Sequence, residues 1–180
     1  MRVELDGAPW RTLPAAAVVE SRLVVGAELT RERARELRRE IRRHEALSVA
    51  TRTLVHRERS RASVAATLER KGVPASDRVE AIGALERAGY LDDDRFAAGR
   101  AAVLAGRGYG NAAIEHDLEQ QGLDRERIQA ALLQLDEETQ RAVAIVERDG
   151  RTLKTARRLA ARGFDEDTIE SVIGLSGEPA

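Results

Sequence analysis

The sequence predicts an all-α protein: an elongated array of three tandem three-helix repeats, preceded by a basic helix and a short N-terminal extension. Three observations predict it. The hexapeptides LERKGV (Leu68–Val73), LEQQGL (Leu118–Leu123) and LAARGF (Leu159–Phe164) each set a leucine four residues before a glycine, with an apolar residue straight after it. Around each glycine the apolar residues keep one register. The composition, 42% hydrophobic but only 3% aromatic in 180 residues, favours small helical modules over one large globule.

Residues 1–29 read apart from the rest as an N-terminal extension. RVEL, Asp6-Gly7 and APWRTL predict a small β-hairpin, because Asp-Gly supplies the positive-φ turn that a two-residue loop needs. Pro9 and Pro14 remove backbone donors and weigh against it. Trp10 is expected to pack this segment onto the helices rather than to bind a ligand. From Thr30 the pattern is helical: Thr30 caps, and Leu29 with Ala34 stands at staple spacing. A basic helix is placed at 30–44, with Ala34, Leu37, Ile41 and His44 on one stripe. A second helical stretch, Ala46 to about Arg57, turns Leu47, Ala50 and Leu54 inward.

A helix that ends on glycine at C′ sets the next apolar residue against one at C3, closing a Schellman turn. That explains each hexapeptide singly, and LERAGY (Leu85–Tyr90) as well. It does not explain the wider register. Eighteen residues before Gly72, Gly122 and Gly163 stand Leu54, Leu104 and Ile145, and eight before stand Val64, Ile114 and Thr155. Ten after stand Ile82, Leu132 and Ile173, and Val79, Ile128 and Ile169 follow at six or seven. Ser76, Asp124 and Asp165 are placed to start a helix after each turn. LERAGY has none of these relations, since it closes a third helix rather than a second. The repeats are therefore placed at 45–89, 90–135 and 136–175, with a tail at 176–180. One such unit has too few core positions to outweigh its ordering entropy, so neighbours must stack. Leu118→Ala is expected to cost about 2–5 kcal/mol.

The net charge of −1 conceals an asymmetry: residues 31–71 carry +7 and residues 72–180 carry −7. This polarity fits a molecule lying along a partner with charge of both signs, and equally fits two solvated helical faces. It argues against a general coat for duplex DNA. The absence of cysteine excludes disulfides and thiolate metal sites. No run approaches the roughly 20 apolar residues of a membrane span, and MRVELDGAPWR lacks the order of a signal peptide. A cytoplasmic location is the expectation.

Catalytic chemistry is hard to find. Asp92-Asp93-Asp94 invites a magnesium reading, but it immediately precedes the apolar helix RFAAGRAAVL, where acids cap free N–H groups. His44, His56 and His116 fall in separate helices without metal spacing, and no nucleophile elbow or Walker sequence is present. The expectation is therefore no enzyme, no cofactor, no metal and no small-molecule substrate. Gly106 to Gly110 reads as a linker in which Gly106 stops one helix and Gly110 starts the next. The other reading is a contact from Arg107 or Tyr109 to a partner.

RSRASVAATLERKGV, GYLDDDRFAAGR, GRGYGNAAIEHDLEQQGLDRERIQAAL and RRLAARGFDEDTIESVI, in this order and spacing, resemble the RecX family over roughly residues 45–175. The resemblance implies a three-repeat helical regulator in DNA repair, homologous recombination and the SOS response. Such a protein binds the RecA–DNA filament and restrains strand exchange and ATP hydrolysis, by bridging or blocking protomers in the filament groove. Its contacts, to RecA or through the filament to single-stranded DNA, would come from exposed side chains on the repeats. These are Arg57, Arg59, Arg61, Arg70 and Lys71 in the first, Arg107 and Tyr109 in the second, and Lys154, Arg157, Arg158 and Arg162 in the third. Each cation also reads as a solvated helix charge. The acidic balance after residue 71 argues against strong independent DNA binding. The alternative role is a helical DNA-binding module acting through the basic 31–71 region.

Overall fold

The structure, a computed structural model, describes residues 1–55 and 57–174; His56 and the predicted 176–180 tail lie outside the described residues. It contains β1 (Arg2–Leu5), β2 (Ala8–Thr12), α1 (Ala15–Glu20), α2 (Arg31–Leu54), α3 (Arg61–Arg70) and α4 (Ala75–Arg87). These are followed by α5 (Asp93–Gly106), α6 (Asn111–Gln120), α7 (Arg125–Leu132), α8 (Glu138–Asp149), α9 (Leu153–Ala161) and α10 (Glu166–Ile173). The chain forms two compact units. One is Met1–Arg59 with Val64–Leu91; the other is Ser60–Ser63 with the residues from Asp92 onward. The all-helical repeat architecture is the one the sequence predicts.

The first unit opens with the predicted hairpin. Asp6 (φ 52°) and Gly7 (φ 81°) make the left-handed turn, and Leu5 pairs with Ala8. Pro9 is tolerated opposite Glu4, beside an irregularity in register at Val3 and Glu4. The N-terminal ammonium donates to the Leu13 carbonyl at 2.7 Å. Trp10 stays 39% exposed, lining a cavity with Val18, Leu23 and Leu37 rather than being enclosed by the helices. Pro14 begins α1, a helix the sequence did not reveal because six residues are too few for a periodicity to declare itself. Leu13, Ala17 and Val18 pack there on Leu37 and Ile41 of α2.

The predicted break between a basic helix ending at residue 44 and a second helix from Ala46 does not exist. α2 is one helix of 24 residues, capped where Thr30 accepts the Arg33 N–H. Nothing in 31–54 is glycine or proline, so no residue interrupts the ladder. What changes along α2 is the core it serves: Leu37 and Ile41 face the N-terminal cluster, whereas Ala46 and Ala50 join Val64, Leu68, Ile82 and Leu85. His44 is half-buried, 3.4 Å from the Glu20 carboxylate. Two details of α4 also differ from expectation. Its N-cap is Pro74 rather than Ser76, whose hydroxyl instead donates to Asp77. Val79 is 65% exposed, because the buried stripe of α4 runs through Asp77, Ala81 and Leu85, and Val79 lies about 200° round from Asp77.

The second unit has two further cores. Phe96, Ala101, Leu104, Ile114, Leu118 and Ile128 bring α5, α6 and α7 together. Ile145, Val146, Leu159, Phe164, Val172 and Ile173 do the same for α8, α9 and α10. The residues eight before each repeat glycine, Val64, Ile114 and Thr155, are all buried. Asp92 caps α5, accepting the Arg95 N–H at 2.9 Å, and Asp124 and Asp165 cap α7 and α10. All four hexapeptides close as Schellman turns, from Val73 N–H to Leu68 O (3.0 Å) through Phe164 N–H to Leu159 O (3.2 Å). A fifth such turn corrects the expectation for Gly106: α5 includes that residue, and Gly108 (φ 80°) ends the helix, with Tyr109 N–H bonded to Leu104 O.

Candidate interaction surfaces

Backbone docking decides which side chains are left for a partner. Gly110 N–H donates to Arg162 O at 2.8 Å and Ala112 N–H to Gly163 O at 3.1 Å, so the start of α6 rests on the turn after α9. A Cβ at Gly163 would lie 2.6 Å from the Ala113 nitrogen, and one at Gly110 would land on the Gly163 carbonyl. An equivalent joint sits at the start of α3. Ser60 Oγ donates to Gln121 O at 2.6 Å, and a Cβ at Gly122 would lie 2.5 Å from Ala62 Cβ. Ser60 and Gly110 each stand twelve residues before the glycine of their own hexapeptide, so the two joints are one design used twice. Gly122 and Gly163 thus stop a helix and also admit a neighbour. At Gly72 and Gly89 an added Cβ would meet nothing within 4 Å, so there the hexapeptide only stops a helix.

Side chains lock the joint between α6 and α9. Arg162 Nη1 donates to Arg107 O at 2.8 Å, and its guanidinium lies 5.7 Å from the centre of the Tyr109 ring. Arg141 donates from Nη1 to Tyr109 O at 2.8 Å, from Nη2 to Asn111 Oδ1, and from Nε to Asp136 O at 3.1 Å. It also lies 5.9 Å from the centre of the Phe164 ring. Burial pushes the Arg141 pKa down, opposed by the charges of Glu138 and Asp136, and a guanidinium remains charged throughout. The Glu138 carboxylate accepts from Asn111 N–H at 2.5 Å and from Asp165 N–H at 3.4 Å, touching the first turn of α6 and the cap of α10 together.

The side chains predicted to meet a partner fall into distinct situations. In the first unit, Arg57, Arg59 and Arg70 form one electropositive group. Burial, then the charges of Arg57 and Arg70, push the Arg59 pKa down, and its Nε donates to Thr53 O at 3.1 Å. Lys71 is exposed. In the second unit, Arg61 has an exposed side chain and gives its backbone N–H to Asp93 at 2.7 Å. Lys154 and Arg157 on α9 are exposed, whereas Arg158 pairs with Asp149. Arg107 and Tyr109 are brought together with Arg162, whose outer nitrogen is already engaged. The Asp92–Asp94 triplet is divided among a helix cap, the Arg61 backbone and an Arg127 ion pair at 2.9 Å. Among the described residues no group of three His, Asp or Glu is placed to hold a metal ion.

Sequence reasoning missed Glu138, Arg141 and Arg148. A signal was available: Arg141 and Arg148 are seven apart on α8, two turns along one face, and Glu138 sits a turn earlier.

Residues 92–132 match the family model described as RecX, second three-helix domain, which corresponds to α5–α7. Regulatory protein RecX of Stenotrophomonas maltophilia (strain R551-3) is 34% identical over 126 residues, covering 64% of this chain and 77% of that protein. Regulatory protein RecX of Acidithiobacillus ferrooxidans (strain ATCC 53993 / BNL-5-31) is 31% identical over 144 residues, 76% of this chain and 93% of that one. A crystal structure of regulatory protein RecX superposes with a TM-score of 0.78 at 19% identity, covering 95% of this chain and 91% of the other. RecX from Lactobacillus salivarius gives 0.66 at 18%, covering 74% and 96%, and at such identities the likeness is one of fold. With relatives this similar over most of their own length, the chain belongs to the RecX family.

Proposed function

We propose that this protein binds RecA filaments assembled on single-stranded DNA and restrains their ATP hydrolysis and strand exchange, acting in the cytoplasm as a scaffold rather than as a catalyst. The observation that carries this reading is family membership, in relatives whose name is regulatory protein RecX. The geometry supports it in two ways. Three helical modules, at 45–89, 90–135 and 136–175, would each hold a separate small core and so offer several shallow surfaces in series, which suits distributed contact with a repeating partner. Exposed cations stand on these surfaces: Arg57 and Lys71 in the first unit, Arg107, Lys154 and Arg157 in the second. Bridging adjacent protomers in the filament groove would hinder their cycling without any group acting on ATP.

The test is co-sedimentation with RecA on single-stranded DNA, together with an ATPase titration. The expected result is co-sedimentation and a lowered rate at substoichiometric protein. An unchanged rate at saturating protein without co-sedimentation overturns the proposal. Replacing Lys154 and Arg157 by alanine together is expected to raise the protein needed for half-inhibition several-fold.

A further inference from the structure

Beside the joint between α6 and α9 lies a cavity of about 240 Å³ lined by four arginines, Arg107, Arg141, Arg148 and Arg162, with Gly108 and Ile145 between them. Its lining holds no carboxylate. We propose that this cavity binds a backbone phosphate of single-stranded DNA.

The donor count is the first argument. Arg141 gives three of its five N–H groups to its own chain, leaving one on Nη1 and one on Nη2. Arg162 donates to Arg107 O and Gly108 O through Nη1, leaving Nε and Nη2. Among the described residues Arg148 is tied to its neighbour Asp149 alone, through Nε at 3.1 Å and Nη2 at 3.5 Å, leaving Nη1. The Arg107 side chain is exposed and has no hydrogen bond or ion pair among the described residues. All four guanidiniums that line this one concavity therefore keep unused N–H groups, the arrangement that suits a tetrahedral anion with several acceptor oxygens.

The second argument is what stands next to it. Tyr109, 38% exposed, lies against Arg162 at the same place. An aromatic ring beside a cationic groove is the pairing by which single strands are held, the ring meeting a base and the cations the backbone. The carboxylates of an acidic peptide would not stack on that ring. Of the acids in residues 72–180, Asp149 pairs with Arg148, and Asp136 and Glu138 act on Arg141, whereas exposed charges farther away than about 8–10 Å are largely screened at physiological salt. Gly108 keeps the cavity open: a Cβ there would lie 2.7 Å from Arg162 Nη1 and 3.4 Å from Ile145 Cδ1.

This inference deepens the proposed role by naming what these cations grip, and its test contains no RecA. A short fluorescein-labelled oligothymidylate is titrated with the intact protein, followed by anisotropy over a range of KCl. Arg107→Ala with Arg148→Ala should weaken binding at least tenfold, and lower the salt slope by about 0.7, the contribution of one single-strand phosphate contact. Neither side chain touches a core, and circular dichroism should show the helices intact. Arg125→Ala, an exposed cation on α7 outside the cavity, serves as the comparison and should leave binding unchanged. An equal loss from Arg125→Ala, an unaltered slope in the double variant, or stronger competition by polyglutamate than by unlabelled oligothymidylate each overturns the site. A failure here leaves the filament ATPase result standing, and the reverse holds as well.

Discussion

Alanine placed at each of the four hexapeptide glycines separates the two jobs that this residue does. All four have left-handed backbones, with φ between 71° and 78°. An L side chain in that conformation costs about 1–2 kcal/mol wherever it stands. Gly72→Ala and Gly89→Ala should show that cost alone, because the added Cβ meets nothing within 4 Å. Gly122→Ala drives its Cβ to 2.5 Å from Ala62 Cβ, and Gly163→Ala to 2.6 Å and 2.7 Å from the Ala113 nitrogen and Cβ. A backbone cannot swing aside as a long side chain does, so overpacking adds about 1–3 kcal/mol, for a total of roughly 2–5 kcal/mol. Urea unfolding of the four variants measures the losses. Hydrogen exchange locates them, since Gly163→Ala should expose the Gly110 and Ala112 amides that donate across that joint. Equal destabilisation at all four glycines, with those amides still protected, would refute the docking role and leave only a helix stop.

Three further outcomes are expected. Leu118, fully buried, should lose about 2–5 kcal/mol on replacement by alanine, whereas Val79→Ala on the exposed face of α4 should stay within about 0.5 kcal/mol in the same urea titration. Asp117 accepts from Arg100 at 2.7 Å and 2.8 Å, and this bond holds its pKa below the ordinary aspartate value. Its contribution is therefore complete above about pH 4 and is lost as pH falls through the lower folded value; Asp117→Asn should flatten that part of the stability–pH curve by no more than about 1 kcal/mol, as the pair is partly exposed. Glu138→Gln should cost about 0.5–2 kcal/mol by weakening the acceptor at Asn111 and Asp165, and amide exchange at those two residues should rise together.

How far the fold could be read from the chain follows from the range of the forces involved. Schellman turns, the Asp-Gly hairpin and the Asp92, Asp124 and Asp165 caps depend on residues within one turn of each other, so their signals are local. The repeat register was legible because Val64, Ile114 and Thr155 must be buried in every copy. The candidate surfaces were legible as a list of cations and not as places. That Arg162 is engaged by Arg107 O while Lys154 and Arg157 face solvent depends on contacts across more than fifty residues, which no local pattern encodes. Glu138 and Arg141 escaped for the same reason: their partners lie on other helices.

The unbroken α2 changes where this chain can be cut. Scissors placed after His44, at the edge of the arginine-rich stretch, would leave a ten-residue stub, 45–54, carrying Ala46 and Ala50, shorter than the roughly 12–15 residues below which isolated helices are marginal in water. The same helix is a shared beam between two apolar floors, so loosening Leu37 or Ile41 should be felt by Leu68 and Leu85. A shortened protein meant to ask what the hairpin contributes should therefore start at Leu13, keeping the Leu13, Ala17 and Val18 packing on Leu37 and Ile41 as well as the Thr30 cap.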